Sequence, residues 1–227
     1  MLLHDAKERG SFMSNKIKAV LFDLDGVLFD TEYISAVNVI KKAETLGLHL
    51  DFNAVVNTAG MAHDQARLIF DDLLKEVGGH DEFERKTAHL PKEEMPFRDI
   101  KIPYVDELLS YLKSKGYKMA VCSSSPMDYI SRALQEGKIE DYFDYVITGY
   151  DLPVGKPDPA IYLKAMKELE VTPEEAVIIE DAYYGIESGK RAGCFVIARH
   201  DPKYSYDQSR ADMLVEDYRD LINGDIL

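Results

Sequence analysis

Short apolar runs that do not alternate with polar residues recur along the chain and limit what it can fold into. Strands buried on both faces of a parallel sheet have this composition, whereas strands with one wet face alternate. The runs are Ile17–Phe22, Tyr117–Cys122, Tyr145–Thr148, Ala176–Ile179, Cys194–Ala198 and the weaker Met213–Val215. Helical spacing fills segments between them, as in Val105, Leu108, Leu109 and Leu112. This alternation predicts an α/β fold with a doubly wound, Rossmann-like parallel sheet.

One long segment interrupts the alternation of strands and helices. Between Thr31 and Phe97 the sequence has helical patterns and no convincing strand, and its clearest apolar stripe runs from Ala66 to Val77. We therefore expect a small all-helical domain, residues 31–97, inserted into an α/β core made of residues 1–30 and 98–227. The polar residues 1–12 are expected to be a disordered extension of that core.

The charge balance restricts the partners of the chain. Its 227 residues include 41 acidic and 27 basic side chains, for a net charge of −14. Such a surface disfavours nucleic acids and anionic membranes as partners, although a local cation can still attract a small anion into a cleft. Cys122 and Cys194 lie inside apolar runs, which is typical of core residues in a reducing compartment, and we expect a cytoplasmic protein.

Two aspartates one residue apart end the first apolar run. Asp23 and Asp25 flank Leu24, and Gly26 follows as a turn residue. On a strand their side chains would point to the same side, about 6–7 Å apart along the backbone. Carboxylates held together repel each other unless a cation or a shared proton compensates. The buried run before them favours a functional site over a merely polar strand end.

Polar groups also follow the second and third apolar runs. Ligands of doubly wound sheets bind at the carboxyl ends of the strands, so these groups are candidates to meet Asp23. After the second run, the sequence predicts Ser125 as a helix N-cap and Pro126 as the first helical residue, which would expose N–H groups to an anion. After the third run, Lys156 lies in a loop with three prolines, and a lysine held there suits a phosphate.

Two further acids follow the fourth run. Glu180 and Asp181 come directly after Ala176–Ile179, where they would face Asp23 and Asp25. Acids at the start of a helix can simply complement its dipole. Together with the first pair, however, they would form an oxygen-rich site suited to Mg²⁺.

The order of these four motifs resembles the haloacid dehalogenase-like hydrolase superfamily. Within it, the chain is most similar to the branch of β-phosphoglucomutase-like enzymes and sugar-phosphate phosphatases, which have a helical cap after the first strand. The likeness spans Ile17 to the C-terminus. It rests on DLDGVLFDTE (23–32), VCSSS (121–125), GKPDP (155–159) and EDAYYGIESGKRAG (180–193).

The resemblance implies a Mg²⁺-dependent phosphatase that acts on a small, sugar phosphate-like metabolite through an aspartyl-phosphate. Asp23 matches the nucleophile, and Asp25 matches the general acid that protonates the leaving group and later deprotonates water. Mg²⁺ would be held by the Asp23 carboxylate, the Asp25 backbone carbonyl and Asp181, with Glu180 binding directly or through water. Asp25 excludes dehalogenation, because a halide leaves without a proton.

The remaining matched residues would bind the substrate. Ser123 matches a donor to a phosphoryl oxygen, and Lys156 matches the cation between Asp23 and the phosphate. Further substrate contacts are expected from Ser124 and from two cap residues, Gly60 and His63.

Three departures from the sugar phosphomutases favour a hydrolase. Those enzymes carry a His where this chain has Ile34, a Lys-Asn pair where it has Pro126-Met127, and often an Arg where it has His63. A β-phosphoglucomutase-type mutase, an inorganic pyrophosphatase and a non-catalytic phosphometabolite-binding protein remain alternatives at this point.

Overall fold

The strands form a single parallel sheet. The computed structural model describes residues 16–58, 61, 63–90 and 95–224, without the side chains of residues 63–65. Within this part of the chain, the strands are β1 Ala19–Phe22, β2 Lys118–Ser123, β3 Tyr145–Thr148, β4 Ala176–Glu180, β5 Phe195–Arg199 and β6 Met213–Val215. Each strand predicted from the sequence is therefore present, with its ends displaced by no more than two residues.

Helices connect these strands and fill the segment after β1. They are α1 Glu32–Thr45, α2 Phe52–Val56, α3 His63–Leu73, α4 His80–Thr87, α5 Val105–Lys115, α6 Met127–Gly137, α7 Ala160–Glu168, α8 Tyr183–Arg191 and α9 Tyr218–Asn223. Short 3₁₀ turns cover Lys75–Val77, Glu140–Tyr142 and Pro173–Glu175.

The strand order places β1 at the centre of the sheet. The order is β3-β2-β1-β4-β5-β6, and all the pairings are parallel. Phe22, the last residue of β1, lies beside Val121 of β2 and Ile179 of β4. The chain crosses over in opposite directions on either side of β1, so a crevice opens at its carboxyl end, where ligands of such sheets bind.

Both faces of the sheet are covered, as non-alternating strands require. On one face Val20 and Phe22 pack in a cluster that includes Leu109 of α5. On the other face Leu21 packs in a cluster that includes Tyr162 of α7. The predicted stripe of α5 is buried throughout, which confirms the doubly wound α/β fold.

The helices α1–α4 lie between β1 and α5 and bury a cluster of their own. Ala43, Leu48, Leu74 and Phe83 form that cluster. The predicted apolar stripe is only partly correct, because α3 ends at Leu73 and Ile69 is 37% exposed. We propose that residues 31–97 form a cap domain, which rests on the core where Tyr204 packs with the residues Ala36, Val55 and Val56.

Both cysteines are buried and free, which agrees with their predicted place in the core. Among the helices described, none has the length and apolar character needed to cross a membrane.

The packing of α5 against the sheet predicts a large loss of stability for Leu109→Ala. Leu109 is fully buried, so its truncation should leave a cavity and lower the free energy of unfolding by about 2–5 kcal/mol. Leu163→Ala, at a position 45% exposed on α7, is the control and should change it by about 0.5 kcal/mol or less. Urea unfolding followed by circular dichroism measures both values. Equal losses in the two variants would contradict this view of the core.

Candidate active site

The turn after β1 depends on a glycine. Gly26 has a φ of +74°, and a Cβ at this position would collide with the carboxylate of Asp181. The buried Arg199, at the end of β5, donates a hydrogen bond of 2.9 Å to the carbonyl oxygen of Gly26. These contacts hold the turn against the ends of β4 and β5. They thereby fix the positions of Asp23 and Asp25, which lie on either side of Leu24.

Lys156 reaches the end of β1 from the proline-rich loop after β3. Its Nζ lies 2.6 Å from Oδ1 of Asp23 and 2.6 Å from Oε1 of Glu180, and the side chain is almost completely buried. Burial alone would lower the pKa of Lys156, but the two carboxylates outweigh it and raise that pKa above its usual value. The lysine is therefore a fixed positive charge between β1 and β4.

Glu180 is held in place from several sides. Its Oε1 also accepts a hydrogen bond of 2.7 Å from the hydroxyl of Tyr162, and its Oε2 accepts one of 3.0 Å from the backbone N–H of Asp181. A Cβ at Gly185 of α8 would collide with the Glu180 carboxylate, so only glycine fits there. Both oxygens of Glu180 are thus engaged, and its main contact is with Lys156.

The acids at the ends of β1 and β4 form a group that suits a divalent cation. Asp23, Glu180 and Asp181 each offer a carboxylate oxygen, and these oxygens lie within 4.8 Å of one another. Burial raises the pKa of Asp23 to about 8, although Lys156 opposes the shift, and it raises the pKa of Asp181 well above its usual value. Lys156 pairs with two of these three buried carboxylates, Asp23 and Glu180, and a hard cation with oxygen ligands such as Mg²⁺ would compensate the remaining negative charge.

Asp25 lies apart from that group and is surrounded by hydroxyl groups. Thr31 donates to its Oδ1 over 2.7 Å, Ser125 to its Oδ2 over 2.8 Å, and Tyr129 to its Oδ1 over 3.2 Å. The two aspartates of the motif therefore have different environments: Asp23 faces a buried cation, whereas Asp25 faces neutral donors.

The structure corrects the prediction for Ser125. The N-cap of α6 is Pro126, and the helix begins at Met127. The Ser125 hydroxyl donates to Asp25 instead of capping the helix, and the Ser125 N–H donates to Oγ of Ser123 over 3.0 Å. The sequence pattern of a serine before a proline indicated the cap correctly to within one residue, but it could not reveal a carboxylate 100 residues away.

A cavity of about 470 Å³ opens above these groups. From the core it is lined by Asp23, Asp25, Ser123, Ser124, Ser125, Pro126, Tyr129, Tyr150 and Asp181, and from the segment before α5 by Glu32, Ser35, Met61, Ala66 and Met95. Ser124 Oγ is buried without a partner among the described residues, so it is available to a ligand. Lys156 and Glu180 lie behind this wall.

The expected substrate contacts have different outcomes. Ser123 and Ser124 line the cavity, and their contact with a substrate stays a prediction. Gly60 lies outside the described residues. His63 begins α3, and its side chain lies outside the described part of the chain.

Sequence reasoning did not foresee several contacts that shape the site. They are made by Thr31, Ser125 and Tyr129 around Asp25, Tyr162 beside Glu180, Glu32 in the cavity wall, and Arg199 at the turn. Some of them leave a weak signal. Tyr129 is four residues after Ser125, one helical turn further along, and Arg199 is a lone charge at the end of an apolar strand.

The buried ion pairs predict that Lys156→Met destabilises the protein. Removal of the ammonium leaves Asp23 and Glu180 buried and uncompensated, which should lower the free energy of unfolding by about 3–5 kcal/mol in a metal-free buffer at neutral pH. The deficit should shrink as the pH falls, because the carboxylates then take up protons. Urea unfolding at several pH values measures it.

Lys190→Met provides the matched control for that variant. Lys190 pairs with Asp212, but both side chains are about a quarter exposed, so its loss should cost about 1 kcal/mol or less. If both lysine variants lost the same stability, the ion pairs of Lys156 would not be the buried interaction described above.

Comparisons with known proteins identify the family of the chain. The sequence profile of haloacid dehalogenase-like hydrolases matches residues 20–199. A phosphorylated carbohydrates phosphatase of Thermotoga maritima is 35% identical over 185 residues, which cover 78% of this chain and 82% of that protein. A phosphoglycolate phosphatase of Aquifex aeolicus is 30% identical over 177 residues, again 78% and 82% of the two chains.

Solved structures share the fold. The crystal structure of a predicted phosphoglycolate phosphatase from Haemophilus somnus superposes with a TM-score of 0.74 at 24% identity, over 92% of this chain and 97% of that one. With the profile match over most of the chain and a relative 35% identical, the comparisons establish that this protein belongs to the haloacid dehalogenase-like hydrolase family.

Proposed function

We propose that the protein is a Mg²⁺-dependent phosphatase that hydrolyses a small phosphorylated metabolite of the sugar phosphate type through an aspartyl-phosphate. One observation carries this proposal: the two motif aspartates have separate environments in a single cavity, Asp23 beside Lys156 and Asp181, and Asp25 among hydroxyl donors. Phosphoryl transfer to a carboxylate needs such a pair, with one ionised nucleophile and one proton carrier.

In the first step the Asp23 carboxylate attacks phosphorus. An oxygen–phosphorus bond forms to Asp23 while the bond from phosphorus to the leaving oxygen breaks, and Asp25 gives its proton to that oxygen. The products are an alcohol and the aspartyl-phosphate. Lys156, 2.6 Å from Asp23, opposes the effect of burial on the pKa of Asp23 and so favours the ionised nucleophile, and it stabilises the added negative charge.

In the second step a water molecule attacks the aspartyl-phosphate. Asp25, now deprotonated, takes a proton from the water as the new oxygen–phosphorus bond forms and the bond to Asp23 breaks. Inorganic phosphate leaves, and both aspartates return to their starting states. Ser123 and Ser124 line the cavity next to Asp23 and are the proposed donors to the phosphoryl oxygens.

The carboxylate group described above is the proposed metal site. Asp23 and Asp181 would hold Mg²⁺ together with the backbone carbonyl of Asp25, and Glu180 would contribute through water because its oxygens already accept hydrogen bonds from Lys156, Tyr162 and the Asp181 N–H. When bound, the ion would neutralise phosphate charge and orient the phosphoryl group for in-line attack.

The carboxyl group of Glu32 in the cavity wall favours a substrate with a neutral, hydroxylated leaving group. Glu32 lines the cavity, and burial followed by the charges of Asp25 and Asp23 raises the pKa of Glu32 well above its usual value. The same burial and the same neighbouring carboxylates disfavour a second anionic group beside Glu32, whereas sugar hydroxyls can hydrogen-bond to its carboxyl group in either protonation state. Of the two relatives above, the phosphatase of phosphorylated carbohydrates fits this wall better than the phosphoglycolate phosphatase.

Asp23→Asn should abolish phosphate release, because an amide cannot form the acyl-phosphate. Wild-type protein should release inorganic phosphate from sugar monophosphates only with Mg²⁺, and acid quenching of a reaction with ³²P-labelled substrate should trap label on the protein. Asp207→Asn, at an exposed position, is the control and should retain activity.

Several outcomes would contradict the proposed function. Full turnover by Asp23→Asn would exclude the nucleophile. An isomeric sugar phosphate as product, or a marked preference for pyrophosphate, would indicate a mutase or a pyrophosphatase in place of a phosphomonoesterase.

The substrate class can be tested with Glu32→Gln. Wild-type kcat/KM should be at least about tenfold higher for neutral sugar monophosphates than for phosphoglycolate, equivalent to about 1.4 kcal/mol. At a pH above the raised pKa of Glu32, where its carboxyl group is ionised, Glu32→Gln should narrow that ratio, because a second anion then meets less negative charge. Glu44→Gln, at an exposed position near the end of the same helix, should leave the ratio unchanged. Phosphoglycolate as the best substrate would refute this assignment.

A further inference from the structure

Tyr129 of α6 contacts Asp25 although it belongs to none of the four sequence motifs. Its hydroxyl donates to Oδ1 over 3.2 Å, on the same oxygen that accepts from Thr31 over 2.7 Å. The other oxygen, Oδ2, accepts from Ser125 over 2.8 Å. Two donors on Oδ1 and one on Oδ2 fix the rotation of the carboxyl group about its Cβ–Cγ bond.

The ring of Tyr129 is itself held by a chain of aromatic contacts. It packs edge-on against Phe97, with centroids 5.0 Å apart, and Phe97 packs in the same way on Phe29 at 5.3 Å. The Arg132 guanidinium lies 5.1 Å from the Phe97 ring centre. Phe29 and Phe97 lie close to the two connections between the core and the helices α1–α4, and both are completely buried. These ring contacts hold the Tyr129 side chain in one position, so its hydroxyl group is less mobile than that of a surface tyrosine.

We propose that Tyr129 is a positioning residue for catalysis: it holds the Asp25 carboxyl group so that Oδ2 presents its proton to the leaving oxygen. This inference rests on the proposed function, since it assumes that Asp25 is the general acid. Thr31 and Tyr129 occupy Oδ1, which leaves Oδ2 with the less crowded lone pairs. Tyr129 acts on the substrate only through Asp25.

A positioning role predicts that the effect of Tyr129→Phe depends on the leaving group. A proton from Asp25 matters when the departing oxygen is basic, and it matters little when the oxyanion leaves unaided. Phenyl phosphate and p-nitrophenyl phosphate have similar shapes but differ in the acidity of the phenol released. Loss of the hydroxyl should lower kcat/KM, which reports the step in which the leaving group departs, by about tenfold for phenyl phosphate and by about twofold or less for p-nitrophenyl phosphate, as expected for partial loss of general acid catalysis.

The variant keeps the ring and therefore its contact with Phe97. Tyr142→Phe is the matched control, because the Tyr142 hydroxyl forms a hydrogen bond with Ser110 at the surface of the core. Its kcat/KM values for phenyl phosphate and p-nitrophenyl phosphate should equal those of the wild type. Phe97→Leu is a second test, since it loosens the support of Tyr129 without removing a donor to Asp25. It should show the same selective loss for phenyl phosphate, to a smaller extent.

The possible outcomes separate this inference from the proposed function. If wild-type protein with Mg²⁺ cleaved neither aryl ester nor any sugar monophosphate, the proposed function itself would fail. If the wild type were active and Tyr129→Phe lowered kcat/KM equally for both esters, Tyr129 would not act through proton donation by Asp25 and the positioning role would be refuted. Unchanged rates on both esters would refute it as well.

Discussion

The Lys156 ammonium, buried between Asp23 and Glu180, is the interaction on which the rest of the site depends. Two ion pairs of 2.6 Å join the carboxyl end of β1 to that of β4, and neither partner could be buried alone without a large cost in solvation. The proline-rich loop after β3 supplies the lysine. Tyr162 donates a hydrogen bond to Glu180, and the missing side chain of Gly185 leaves space for the Glu180 carboxylate. Residues from two connections, β3 to β4 and β4 to β5, thus serve to place one charge beside the nucleophile.

The same charge explains why the two motif aspartates differ. Asp23 lies within hydrogen-bond distance of the ammonium, whereas Asp25, on the other side of Leu24, interacts with the hydroxyl groups of Thr31, Ser125 and Tyr129. The ammonium favours the ionised form of Asp23 against the opposing effect of burial, whereas the hydroxyl groups around Asp25 donate hydrogen bonds without adding a positive charge. A single β-strand end can therefore present both chemical roles within one cavity.

Much of this arrangement is predictable from the sequence, because it depends on local patterns. Non-alternating apolar runs gave all six strands of the described sheet, and the rule that ligands bind at carboxyl ends brought Asp23, Ser123, Lys156 and Asp181 together in advance. The hydroxyl groups around Asp25 were not foreseen, since serine, threonine and tyrosine have many uses and carry no periodic signal. The prediction that Ile69 belongs to a buried stripe was wrong, because an apolar residue can also lie on the exposed side of a short helix. Ser125 could cap its own helix or reach a distant carboxylate. Tertiary contacts alone decide between the two.

The central place of β1 has a consequence for how this protein becomes active during folding. The groups of the site follow four strands of a sheet whose neighbours are far apart in the chain, so Asp23 meets Lys156 only across 133 residues and Asp25 meets Ser125 only across 100. The contact of Asp25 with Ser125 needs only β1 beside β2, whereas Lys156 meets both of its partners, Asp23 and Glu180, only when β4 lies beside β1. An intermediate in which β4 is not in place also lacks Glu180 and Asp181 beside Asp23, and with them the carboxylate group proposed to hold the metal. Enzymatic activity therefore reports the assembly of β1 to β4 rather than the formation of any one segment.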